Sequence, residues 1–84
     1  MSKHSKTLEA ILRGTSDSNI AFADILSVLR ALGFKSRIRG DHHIFFREDI
    51  VEIINLQPRG SKVKPYQVKQ IRGIILKYRL GEMF

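Results

Sequence analysis

Eighty-four residues without a cysteine allow one small domain with a compact core and exclude a disulfide framework or a thiolate metal site. With 43% hydrophobic and 27% charged residues and few Gly or Pro, the chain has the composition of a folded domain rather than a disordered one. Fifteen Lys and Arg against eight acids leave a formal charge of +7, which favours a polyanionic partner: nucleic acid, an acidic protein or an anionic membrane surface.

The basic start, Met1-Ser2-Lys3-His4-Ser5-Lys6, leads into no apolar signal core, and no apolar run approaches the length of a membrane span. A cytoplasmic location is the expectation. Leu8, Ile11 and Leu12 recur at helical spacing and stop at Gly14, predicting a first helix around 5–13. The polar stretch 15–19 is a connector. Phe22, Ile25, Leu26, Leu29 and Leu32 then form one stripe, predicting a helix over about 21–32 that Gly33 ends.

From Phe34 the period changes to two. Phe34, Ser36 and Ile38 alternate with Lys35, Arg37 and Arg39, as in a half-buried strand. Gly40-Asp41 suits a tight turn, and His42 to Arg47 resumes extended structure. Glu48-Asp49 turns again, and Val51 to Gln57 is β-branched and apolar. After the loop Pro58-Arg59-Gly60-Ser61, Pro65 fits the first turn of a helix, where its missing N–H costs nothing. Val68, Ile71, Ile75 and Tyr78 give that helix its apolar stripe, with Ile74 and Leu76 at the margins.

The predicted class is therefore α+β: a three-stranded antiparallel sheet with two helices on one face, and an extra helix in front. The α-β-β-β-α order is that of double-stranded-RNA-binding domains, although fold alone assigns no function.

Leu32-Gly33-Phe34, then Arg39-Gly40-Asp41-His42-His43-Ile44-Phe45, followed by a hairpin and a basic last helix, resembles the HicA family of toxins. The resemblance spans about 21–80, and its most specific part is the Gly-x-His-His-x-Phe segment directly after a first strand. It implies an mRNA interferase of a type II toxin–antitoxin system, held inactive by a HicB-type antitoxin, with the first histidine of the pair, His42, as catalytic residue. The chain departs from the family at Asp41, where Ser is usual, and in its N-terminal helix. The expected organisation is one domain over 1–84: a helical extension over 1–19 and an α-β-β-β-α core over 20–84.

The chemistry such an enzyme needs is within reach of these residues. RNA brings its own nucleophile, the 2′-OH beside the scissile phosphate. An imidazole titrates near neutrality, so one histidine suits acid or base work, and Arg and Lys can stabilise phosphorane charge. Candidate RNA-binding cations are Arg37 and Arg39 on the first strand, Lys62 and Lys64 before the last helix, and Lys69 and Arg72 on it, with Lys35 nearby. Arg59 to Phe84 holds seven basic residues against Glu82 alone, which is either a footprint or an ordinary solvated face. Tyr66 and Phe46 are candidates to stack bases, although Phe46 equally suits core or sheet surface.

Adjacent strand residues point to opposite faces, so His42 and His43 cannot chelate one ion together, and neither metal nor cofactor is expected. Strand parity groups His43 with Phe45 toward the helices and leaves His42, Ile44 and Phe46 on the open side. Asp41 favours a protonated His42 but repels phosphate, and it equally suits a tight turn. A non-catalytic RNA-binding module and a subunit that docks an acidic protein are the competing readings.

Overall fold

The computed structural model describes residues 3–83. Its elements are α1 (Lys3–Arg13), α2 (Phe22–Ala31), β1 (Lys35–Arg39), β2 (His42–Arg47), β3 (Ile50–Leu56) and α3 (Pro65–Tyr78), with short 3-10 turns at Asp17–Asn19 and Leu80–Met83. The strands form one antiparallel sheet in the order β1-β2-β3. The α-β-β-β-α order read from the periodicities is the observed one.

Each helix is placed by its apolar stripe. Phe22, Ile25, Val28 and Leu29 of α2 are buried, as are Val68, Ile71, Ile74 and Ile75 of α3. They meet Phe45, Ile54 and Leu56 from the inner face of the sheet in a single core. Leu8 and Ile11 of α1 join the same core, so the extra helix is packed in. Pro65 stands in the first turn of α3, and Gly33 follows α2 with φ of +89°, a conformation that spares glycine the Cβ clash.

Two details differ from the expected pattern. Ile38 was placed on the buried side of β1, yet it is 64% exposed, and no residue of β1 is buried. The cover of α2 and α3 stops short of this edge strand, and Phe34, just before it, supplies the buried contact instead. Ile74, expected at a stripe margin, is 4% exposed, whereas Leu76 is 62% exposed.

The loop after β3 is stapled to the segment before α2. Phe22 N–H donates to Ser61 O at 2.9 Å and Val63 N–H to Ile20 O at 3.1 Å. With Val63 buried beneath it, the loop delivers the chain to Lys64 and sets the start of α3 beside the end of β3. That placement builds the concavity described next.

Candidate functional site

The β1–β2 turn is two residues long, since Arg39 pairs with His42 across the ladder. Gly40 supplies the positive φ of +60° that such a turn needs, and His42 follows as the first residue of β2. Strand alternation then separates the two histidines. The His43 ring packs edge-on against Phe22 of α2, with ring centroids 5.0 Å apart at 73°. His42 emerges on the opposite face, its side chain 44% exposed.

Around His42 lies an open concavity of about 250 Å³, lined by His42, Asn55, Gln57, Tyr66 and Gln67. Its walls are the end of β3 and the first turn of α3. His42 Nδ1 is 3.0 Å from Asn55 Oδ1. On the other side of the ring, Nε2 is 3.7 Å from Asp41 Oδ1, beyond hydrogen-bond distance. Asp41 is itself held: Gln57 Nε2–H donates to its Oδ2 at 2.7 Å. That bond comes first in holding the Asp41 carboxyl below its ordinary range, helped by a backbone N–H and the charges of His42 and Lys64.

Behind this layer, Gln67 is 3% exposed and donates Nε2–H to the backbone carbonyl of Asn55 at 3.1 Å. Its Oε1 is buried without a hydrogen-bond partner among the described residues. Tyr66, 64% exposed, presents its ring beside the histidine.

The cations divide into two groups. Arg37 and Arg39 share the open sheet face with His42, and Arg37 stands 5.7 Å over the Phe46 ring. Lys64 stands at the N-cap position of α3, within Coulombic reach of Asp41, and makes no cap hydrogen bond with its side chain. Lys62 instead donates to Asn19 Oδ1, and Lys69 faces Asp17 from an exposed position on α3.

Arg72, a candidate RNA-binding cation in the sequence, is engaged within the chain itself. Its guanidinium is bidentate on Asp17, at 2.9 and 3.0 Å, and also donates to Ile11 O at 3.0 Å. With the two side chains only 16% and 21% exposed, Arg72 is a latch between α3, the 3-10 turn and the end of α1. The pair lowers the Asp17 pKa and raises that of Arg72, chiefly through their shared hydrogen bonds.

A larger concavity, about 300 Å³, lies at Gly33, Lys35, Arg47, Glu48 and Asp49. Arg47 there is tied to Asp49 at 2.8 Å and to Leu32 O at 2.8 Å, and no histidine lines the hollow. It reads as a structural corner.

Asn55, Gln57 and Gln67 were missed from sequence. Gln67 left a signal: it lies one turn before Ile71 on the buried stripe, where a polar residue is out of place.

A family model described as HicA toxin of bacterial toxin–antitoxin matches residues 22–78. The matched span runs from the first residue of α2 to the last of α3, leaving α1 outside. No curated protein and no solved structure matches the chain.

Proposed function

This chain belongs to the HicA family of bacterial toxins, and from that premise we propose that it is an endoribonuclease that cleaves mRNA with His42 as its catalytic residue. The observation that carries the reading is the separation of the two histidines. His43 is engaged with Phe22, whereas His42 is open to a bulky substrate in a polar hollow beside Arg37 and Arg39.

In the proposed reaction the imidazole takes the proton of the 2′-OH, and the 2′-oxygen attacks the adjacent phosphorus. The P–O5′ bond breaks, water protonates the departing O5′, and a 2′,3′-cyclic phosphate forms. Arg39, opposite His42 on the ladder, stabilises the extra negative charge on the phosphorane oxygens, and Arg37 on the same face holds a flanking phosphate. Tyr66 offers a face on which a flanking base can stack. No metal or cofactor is assigned a role.

The partner that restrains the toxin is, on this reading, a HicB-type antitoxin. The open sheet face suits an acidic protein with some apolar surface. Val51 and Ile53 are 87% and 62% exposed there, next to Ile44, Phe46 and the β1 cations.

RNA binding without cleavage is the second reading, and Asp41 favours it. A carboxylate 3.7 Å from Nε2 repels a phosphate approaching that nitrogen. One experiment separates the two. Purified protein is incubated with a short RNA in EDTA, and in parallel with the same RNA carrying one 2′-deoxy sugar at the scissile position. Cleavage of the first and survival of the second are expected. Binding of both with cleavage of neither selects the second reading, and cleavage of the deoxy substrate contradicts the 2′-OH mechanism.

A further inference from the structure

We propose that Asn55 is the positioning residue of this site, accepting the Nδ1 proton of His42 and leaving Nε2 as the bare, reacting nitrogen. The inference rests on the proposed catalytic role of His42 and deepens it by assigning the two ring nitrogens.

A neutral imidazole carries one proton, and the partner of one nitrogen decides where it sits. A carboxamide oxygen can only accept a hydrogen bond. The 3.0 Å contact between His42 Nδ1 and Asn55 Oδ1 therefore selects the Nδ1–H form and aims Nε2 away from β3. The two residues are diagonal neighbours across the β2–β3 ladder, because Ile44 pairs with Asn55. Gln67 holds the Asn55 backbone from behind at 3.1 Å, so the acceptor stands on a fixed strand end rather than a mobile loop.

The acceptor's neutrality has a consequence. A carboxylate at this position would bind the imidazolium and hold its proton; an amide orients the ring without that charge. The Asn55 amide thus orients the ring without stabilising its protonated form. The charged or titratable groups around the ring are Asp41 on the Nε2 side, Arg39 across the β1–β2 ladder, and Lys64 and Tyr66 at the start of α3.

The test uses the full chain with nitrogen-15-labelled histidine, as wild type, Asn55→Ala and Asn55→Asp. Two-bond proton–nitrogen spectra report the tautomer and the titration midpoint of His42, and a short RNA reports kcat and KM against pH. In the wild type, neutral His42 is expected in the Nδ1–H form. Asn55→Ala should release the ring to mixed or Nε2–H forms and lower kcat roughly tenfold with KM nearly unchanged. Asn55→Asp should keep the Nδ1–H form but raise the His42 midpoint by about one pH unit, moving the acid limb of the kcat profile upward with it. At pH above that limb, its kcat should recover most of what Asn55→Ala loses.

An Nε2–H tautomer in the wild type would mean the amide turns its nitrogen to the ring, and would overturn the proposal. An unchanged tautomer and kcat in Asn55→Ala would do the same. The catalytic reading itself stands or falls separately. If cleavage survives removal of the His42 imidazole, that reading fails while the spectra still decide what Asn55 does to the ring.

Discussion

The helical side and the open sheet side of this molecule use positive charge in opposite ways. On the helical side several cations are matched with carboxylates of the same chain. Arg72 is bound by Asp17, while Lys77 and the Tyr78 hydroxyl converge on Glu52 at 2.9 and 2.6 Å. On the sheet side Lys35, Arg37 and Arg39 form no ion pair among the described residues, and Arg39 stands opposite His42 across the ladder. A net charge of +7 therefore says little until it is divided by face. The matched cations stabilise the fold, and the unmatched ones are available to a polyanion.

Removing a matched cation should produce the largest effect on folding. Arg72→Ala leaves Asp17 and the Ile11 carbonyl without their partner in a mostly covered site, so a loss of about 2 kcal/mol is expected. Urea unfolding measures it, and a midpoint equal to wild type would show that the latch is idle.

On the other face the effect should move from stability to binding. Arg37→Gln combined with Arg39→Gln should weaken RNA binding about tenfold and reduce the salt slope of log K by about 2, with folding stability within about 0.5 kcal/mol. An unchanged salt slope would mean that these arginines face only solvent.

The fold was legible because each element carries its own period. The stripes of α2 and α3 and the alternation around Phe45 needed no long-range information, and parity, once Phe45 was taken as the core anchor, put His42 outside and His43 inside. What crosses between elements was not legible. The Asn55–His42 contact depends on the β2–β3 register, which an irregularity between Phe45 and Arg47 shifts. Arg72 looked like part of a basic helix face until the connector, 55 residues earlier in the chain, brought Asp17 to it. Ile38 followed the strand alternation correctly, but alternation cannot say where the helical cover ends.

A smaller effect should appear in acid, again on the helical side. Hydrogen bonds from Tyr78 and then Lys77 hold the Glu52 carboxyl down from an ordinary 4.5 to about 2. A depressed carboxylate pKa contributes stability above the unfolded value, lost as pH falls from about 4.5 toward 2. Asp17, also lowered, acts in the same direction below its ordinary 3.8. Melting temperature should therefore fall across this window, and Glu52→Gln should flatten the fall while costing some stability at neutral pH. Parallel slopes for variant and wild type would remove Glu52 from the explanation.

The contrast between the faces is sharpest at the two adjacent histidines, where one substitution should act on chemistry and the next on packing. RNA cleavage and thermal melting of His42→Ala and His43→Ala, measured side by side, test it most directly. His42→Ala is expected to abolish cleavage with a nearly wild-type melting temperature, and His43→Ala to lose about 1 kcal/mol of stability while still cleaving RNA. Wild-type cleavage by a folded His42→Ala protein would contradict the account at its centre.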